Sequence, residues 1–170
     1  PTPDTIFKQQ QVWKRNKEFG MFDKSKIGQS FPPFTIEVER GKIRELALAI
    51  GEDNPIYQSK EAAQAAGYPD VPLSPTAPTI FGFWGNTKMG GQLLNLGINV
   101  MRILHGEEEY EYLAPIYPGE TLTGVMTLVD GKTREGKGGS SMDILTTEVR
   151  YTNASNQHVL STRTVIVVRN

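Results

Sequence analysis

The sequence predicts an α+β fold in which a curved antiparallel sheet wraps around one long central helix. The first observation is a change of pattern, because apolar residues follow a helical spacing before Gly97 and alternate after it. The second is the stretch from Pro78 to Leu96, in which Lys88 is the single charged residue. A helix that is apolar nearly all round is expected to be buried. With 170 residues the chain has the length of one domain, and we assign residues 1–25 to a peripheral segment and residues 26–170 to that domain.

Three helices are predicted in the first half of the chain. Apolar residues of the first helix recur at i, i+3, i+4 and i+7, and they are Ile43, Leu46, Ala47 and Ile50. Gly51 ends this helix, since glycine readily adopts the left-handed conformation found after a helix C-terminus. Ser59 caps a second, short helix that ends at Gly67. The long helix begins near Pro78, a residue favoured in the first helical turn, and its glycines predict close packing against the sheet or a second subunit.

Four strands are predicted in the second half, over residues 100–112, 121–129, 140–151 and 157–168. The turns between them are assigned to Pro118-Gly119, Asp130-Gly131 and residues 153–156. Alternation in the first strand divides its polar residues between two faces. One face receives His105, Glu107, Glu109 and Glu111, and the other receives Tyr110 and Tyr112. We interpret the acidic face as a solvated strand surface, and the short turns as evidence for an antiparallel sheet.

Composition excludes several classes of function. The net charge is −1, without the cationic excess that nucleic acid or anionic membranes attract, so neither is a predicted partner. The absence of cysteine excludes disulfides, thiolate metal sites and cysteine nucleophiles. The two histidines, His105 and His158, lie far apart and lack zinc-like spacing, so we predict no metal and no cofactor. No signal peptide or membrane span is predicted, and a cytoplasmic location is expected.

The segment GKTREGKGG, residues 131–139, nearly matches a phosphate-binding loop. Gly131 precedes Gly136 and Lys137 at the required spacing, but residue 138 is glycine where Ser or Thr must contact Mg²⁺. The residues on either side of this segment are predicted to form two strands, whereas a phosphate-binding loop lies between a strand and a helix. A plain hairpin is therefore the favoured interpretation.

The loop after the first helix, GEDNPIY, has two interpretations that the residues alone leave open. Asp53 and Tyr57 emerge near each other, as the acidic and hydrogen-bonding groups of a pocket would. Alternatively, Asp53 and Asn54 stabilise the turn through bonds from side chain to backbone.

Four stretches of the chain together resemble the MaoC-like hotdog dehydratases and hydratases, which act on acyl thioesters. They are IGQSFPPFTIEVERGKIRELALAIGEDNPIY, AAQAAGYPDVPLSPTAPTIFGF, LHGEEEYEYLAPIYPGETL and the closing strands, within residues 27–168. The resemblance is to the N-terminal, FAS1-like dehydratase type. Within it, the chain is most similar to the non-catalytic subunits of mycobacterial (3R)-hydroxyacyl-ACP dehydratase. The hotdog fold that this implies agrees with the sheet and helix predicted above.

The resemblance implies a degenerate catalytic pair. Active members carry an Asp, then Asn-Pro, then a His four residues after the Asp, and here Asp53, Asn54 and Pro55 are followed by Tyr57. Imidazole is a base near neutral pH, whereas a phenol with an ordinary pKa of about 10 is not. Asp53 and Tyr57 are thus the candidate catalytic residues. The substrate-binding residues that the resemblance implies are Asn54, Thr76, Ala77, Thr79 and Phe81, with backbone amides at the start of the long helix holding the thioester oxygen.

Three functions follow from the resemblance. The leading one is a substrate-binding subunit of a 3-hydroxyacyl thioester dehydratase or enoyl thioester hydratase, in a heterodimer with a catalytic hotdog chain. The second is a self-sufficient homodimeric enoyl-CoA hydratase that uses Asp53 with Tyr57 or His105. The third is a non-enzymatic module that binds acyl-CoA or acyl carrier protein thioesters. A dimer is expected in each case, because a lone protomer would expose a sheet edge.

Overall fold

A computed structural model describes residues 22–136 and 140–170. Its strands are β1 Phe34–Glu37, β2 Ile103–Tyr112, β3 Thr121–Glu135, β4 Ser141–Thr152 and β5 His158–Arg169. They form one sheet in the order β1-β3-β4-β5-β2, and every neighbouring pair is antiparallel. This confirms the predicted α+β antiparallel sheet. The sequence analysis missed β1, because an alternation of four residues after two prolines is too short a signal.

Helices α1, Arg40–Ile50, and α2, Lys60–Ala65, lie where they were predicted. Gly51 has a φ of 74°, the left-handed conformation that ends α1. Ser59 Oγ accepts a hydrogen bond of 3.1 Å from the amide of Ala62 at the start of α2. The C-terminal end of α1 and the N-terminal end of α2 thus fix both ends of the loop of residues 51–59, which contains the Asp-Asn-Pro motif.

An ion pair holds the two helices at a fixed separation. Arg40 donates to both carboxylate oxygens of Asp70, at 3.0 and 2.6 Å, and Lys60 Nζ lies 3.4 Å from the same carboxylate. Bonding to the guanidinium lowers the pKa of Asp70 well below its usual range. The contact ties the starts of α1 and α2 to the loop that follows α2.

The long helix predicted from Pro78 to Gly97 is wrong as a single element, because the segment forms two short helices. They are α3, Thr79–Trp84, and α4, Met89–Asn95. Gly, Asn and Thr at residues 85–87 have low helix propensity, and the buried Asn86 side chain bonds to Gln92 Oε1 at 2.7 Å. A Cβ on Gly85 would lie 3.1 Å from Ile36 Cβ, so glycine allows α3 to approach β1 closely.

Two strand predictions also need correction. The turn predicted at Asp130-Gly131 lies inside β3, where the register with β4 shifts between Leu128 and Asp130 as a β-bulge. β3 then continues to Glu135, which pairs with Ser141. Glycine is favoured there, since a Cβ on Gly131 would lie 2.4 Å from the Phe22 ring, which would have to shift. Residues 137–139 of the glycine-rich loop lie outside the described residues.

In β2 a second register shift falls between His105 and Glu107. The extra residue, Gly106, moves His105 to the face of Glu108, and the two side chains contact at 2.9 Å. The prediction that His105 shares a face with Glu107 is therefore wrong. The prediction assumed strict alternation along β2 and so placed His105 on the wrong face. A β-bulge has no clear sequence signal beyond its glycine.

The core consists of two clusters on the same side of the sheet. In the first, Tyr151 is fully buried and makes edge-to-face contacts with Phe34 and Phe81, with ring centroids 6.0 and 5.6 Å apart. The second cluster contains Phe22, which belongs to the segment predicted as peripheral; residues 1–21 lie outside the described residues. No helix in the described part of the chain is long and apolar enough to cross a bilayer.

Candidate functional site

The loop after α1 presents Asp53 and Asn54 to solvent. Asn54 Oδ1 accepts from the amide of Ile56 at 3.2 Å, which starts a 3-10 turn over Pro55–Tyr57. The turn-stabilising role is thus confirmed for Asn54. Within the described residues the Asp53 carboxylate has neither a hydrogen bond nor an ion pair, so it remains available to a ligand or partner.

Tyr57 is half-buried and packs against the first core cluster. Burial raises the pKa of its phenol above the ordinary value, and the neighbouring Glu52 acts in the same direction. The group is therefore neutral near pH 7. It can donate a hydrogen bond, but it cannot accept a substrate proton as an imidazole would.

The segment Ser74–Thr79 precedes α3 and contains the predicted donors for a thioester oxygen. Two of its amides are already used, because Ala77 donates to Ser74 O at 3.0 Å and Thr79 donates to Thr76 O at 3.2 Å. Pro78 has no N–H. Among the described residues nothing accepts from the amides of Ser74 and Thr76, so these two are the free backbone donors of the segment.

Ser74 is a candidate that sequence reasoning missed. Its side chain is 3% exposed, and its hydroxyl makes no hydrogen bond with any group that the structure describes. An unpaired buried hydroxyl costs about 1–3 kcal/mol, so a water or a polar ligand atom would be stabilising here. A serine in a proline-rich loop carries no pattern that would have indicated this.

Two tyrosines of β2 contact the same segment. The Tyr110 hydroxyl bonds to Thr79 Oγ1, and the Tyr112 hydroxyl donates to the carbonyl of Pro75 at 3.0 Å and to that of Ser74 at 3.3 Å. Burial raises the pKa of Tyr112, and Tyr57 also contributes to this shift. The structure therefore brings the loop after α1, the segment Ser74–Thr79 and the face of β2 together.

A cavity of about 150 Å³ lies between β1, α1 and α3. Its apolar lining is formed by Ile36, Val38, Ile43, Leu73, Ile80, Phe81 and Trp84. Glu37, Glu39 and Lys42 add polar groups. A cavity of this size holds a ligand about as large as benzene, that is, about six carbon atoms. Phe81, which the resemblance assigned to substrate binding, lines this cavity, whereas Asp53 and Tyr57 do not.

His105 bonds to Glu108 at 2.9 Å, with side chains 58% and 17% exposed. Its ring contacts neither Asp53 nor Tyr57 in the described structure. No group of three or more His, Asp or Glu side chains that could hold a metal occurs within residues 22–136 and 140–170.

The antiparallel sheet and the helices packed on one side of it define a hotdog domain. A family model described as the FAS1-like dehydratase domain region matches residues 25–162, and the chain belongs to this family. Curated relatives include a UPF0336 protein of Streptomyces coelicolor, 36% identical over 151 residues that cover 86% of this chain and 95% of the relative. Another, from Saccharopolyspora erythraea, is 34% identical over 148 residues, or 86% and 91% of the two chains.

Solved structures with this fold include chains of two complexes. The HadBC (3R)-hydroxyacyl-ACP dehydratase complex of Mycobacterium tuberculosis matches with a TM-score of 0.69 and 23% identity over 84% of this chain and 96% of that chain. The ChsH1-ChsH2 complex of the same organism matches with a TM-score of 0.61 and 20% identity, over 82% and 88%. At these identities the likeness establishes the fold, and it confirms the predicted hotdog architecture.

Proposed function

We propose that this chain is the substrate-binding subunit of a 3-hydroxyacyl thioester dehydratase or enoyl thioester hydratase. The observation that carries the proposal is Tyr57, a neutral phenol at the position where active family members have their histidine. Asp53 is kept beside it, and its carboxylate is free. Such a loop can bind a substrate but lacks the base that would remove a proton from it.

Binding would use the cavity and the segment before α3. The apolar walls from Ile80, Phe81 and Trp84 suit a short acyl chain, in agreement with the assignment of Phe81 to substrate binding. The free Thr76 amide and the unpaired Ser74 hydroxyl suit the thioester oxygen, which needs hydrogen-bond donors. The substrate would be carried by coenzyme A or by acyl carrier protein.

The partner would be a catalytic hotdog chain that supplies the Asp-His pair. Strand β2 pairs with β5 on one side, and its other edge is unpaired within the described chain. A ten-residue edge strand is a ready site for pairing with another protomer. Two structural neighbours, HadBC and ChsH1-ChsH2, are themselves complexes. An apparent monomer mass at micromolar concentration, alone and with such a partner, would contradict this part of the proposal.

The test is hydration of crotonyl-CoA by the purified chain, with Tyr57→His as the informative variant. We expect no turnover by the wild-type chain and measurable turnover by Tyr57→His. Asp53→Asn introduced into that variant should abolish the gain. Tyr117→His is the matched control, since it adds an imidazole at a tyrosine outside residues 51–59. Wild-type activity that Asp53→Asn abolishes would instead make this chain a self-sufficient hydratase.

A self-sufficient homodimeric hydratase is the second candidate, favoured by the contact between His105 and Glu108. A carboxylate that holds an imidazole is a common arrangement for a general base. In that case His105→Ala would remove the wild-type activity while Tyr57→Phe would not. Saturable thioester binding without activity, and without effect on a catalytic hotdog partner, would point to a non-enzymatic binding module.

A further inference from the structure

We propose that Tyr110 and Tyr112 are positioning residues, which hold the segment Ser74–Thr79 against β2 where it can bind the thioester oxygen. This inference rests on the proposed function, because it concerns the same binding segment. It adds two residues that neither the Asp-Asn-Pro motif nor the cavity includes.

The geometry of β2 places the two tyrosines side by side. Tyr110 pairs with Thr162 and Tyr112 with Leu160, so the two tyrosines are two residues apart and share one face of the strand. Tyr112 bonds to carbonyls at the start of the segment, and Tyr110 bonds to Thr79 at its end. The sheet therefore holds a six-residue segment at both ends.

Few other hydrogen bonds hold the segment Ser74–Thr79 in place. The amides of Ala77 and Thr79 donate to carbonyls within the segment, so these bonds fix its local shape. Just before it, the Leu73 amide donates to Ile116 O at 3.3 Å. No other side chain in the described residues hydrogen-bonds to Ser74–Thr79. The two phenols are thus the directional contacts that set the distance of the segment from β2.

Both tyrosines suit a positioning role, because their side chains are restricted and their hydroxyls stay protonated. Tyr110 packs against the first core cluster, which restricts its ring. Burial raises the pKa of both phenols, so both hydroxyls stay protonated as pH rises towards 10. A tyrosine has only two side-chain torsions, so it loses little conformational entropy when it is fixed.

The consequence concerns Ser74 and Thr76. The Ser74 hydroxyl belongs to a residue whose carbonyl Tyr112 holds, and the Thr76 amide lies between Pro75 and Thr79, which Tyr112 and Tyr110 hold, so loss of either bond should let these donors move. Removal of a hydroxyl leaves the backbone pairing of β2 with β5 intact. Thioester affinity is therefore expected to fall while the fold persists.

The experiment compares Tyr110→Phe and Tyr112→Phe with the wild-type chain. Binding of crotonyl-CoA and hexanoyl-CoA is measured by calorimetry, and hydrogen exchange of the amides in residues 74–82 by mass spectrometry. Each variant should bind about tenfold more weakly, the loss expected for one hydrogen bond, with exchange accelerated in this segment and not in β5. Tyr117→Phe is the matched control, since its hydroxyl makes no hydrogen bond with the described residues, and it should leave both measurements unchanged.

A double-mutant cycle tests the contact itself. Thr79→Val removes the other partner of the Tyr110 hydroxyl, so its effect on affinity and that of Tyr110→Phe should be far from additive. Additive losses would overturn the assignment of Tyr110. Unchanged exchange in both phenylalanine variants would overturn the inference for both residues.

The proposed function and this inference fail in distinguishable ways. Faster exchange with unchanged affinity would overturn the positioning role and leave the proposed function standing. A wild-type chain that binds neither thioester would overturn the proposed function, and the positioning role for a thioester with it. A variant with a strongly reduced melting temperature would show that its phenol is structural, which also overturns the inference for that residue.

Discussion

The ammonium of Lys42 lies 4.7 Å above the centre of the Trp84 ring, and both residues line the cavity between α1 and α3. Lys42 also pairs with Glu45 at 3.0 Å. A cation over an indole ring contributes about 0.5–1 kcal/mol at an exposed site. The contact holds the half-exposed Trp84 over this cavity and so helps to define its size.

The size of the cavity predicts a limit on acyl chain length. Ile80→Trp should fill part of the cavity, so affinity for the six-carbon hexanoyl-CoA should fall at least about tenfold while the shorter crotonyl-CoA binds nearly as before. Calorimetric titration of both thioesters measures the difference. Leu48→Trp, on the exposed side of α1, is the control and should change neither. Equal losses for both thioesters would place the acyl chain elsewhere.

Four tyrosines with raised pKa values predict a loss of stability at alkaline pH. Burial raises the pKa of Tyr57, Tyr110, Tyr112 and Tyr151 in the folded chain. The unfolded chain ionises first, at about pH 10, so the stabilisation is complete below that pH and is lost as pH rises through the folded pKa values. The free energy of unfolding in urea should thus be smaller at about pH 10.5 than at about pH 8. Tyrosinate absorbance of the folded protein should likewise lag behind that of the unfolded protein, and coincident titrations would contradict this prediction.

Features of the fold that depend on neighbouring residues in the chain were predicted correctly from the sequence. Gly51 and Ser59 end and begin helices for local reasons, and both were identified correctly. The break at residues 85–87 has a local cause in their low helix propensity, which the apolar run around them obscured, whereas the bulge at Gly106 depends on strand pairing that no local pattern encodes. Of the candidate site, the motif predicted Asp53 and Tyr57, but the unpaired hydroxyl of Ser74 depends on which groups the fold brings near it.

Asp143 predicts a strong dependence of stability on one buried carboxylate. It is 2% exposed and accepts from the Phe22 amide at 3.0 Å, from Thr133 Oγ1 at 2.6 Å and from Asn170 Nδ2 at 3.1 Å. Asp143→Ala removes this acceptor from the Phe22 amide and the Thr133 hydroxyl, while Asn170 keeps its bond to Ser141 Oγ, and the loss should cost about 3 kcal/mol of the free energy of unfolding. Urea denaturation measures this loss, with the exposed Glu111→Gln as the control. A loss below about 0.5 kcal/mol would show that water replaces the carboxylate without cost.

Two glycines predict opposite effects of the same substitution. A Cβ on Gly131 would lie 2.4 Å from the Phe22 ring and 2.9 Å from Leu145 Cδ2, so Gly131→Ala should destabilise the fold by about 1–3 kcal/mol. Gly90 lies in α4 with nothing within 4 Å of such a Cβ, and alanine there should stabilise the helix by about 0.5–1 kcal/mol. Thermal and urea unfolding of both variants measure the contrast. A neutral Gly131→Ala would show that Phe22 can move away from the β3 bulge, and that its packing there is not required for the fold.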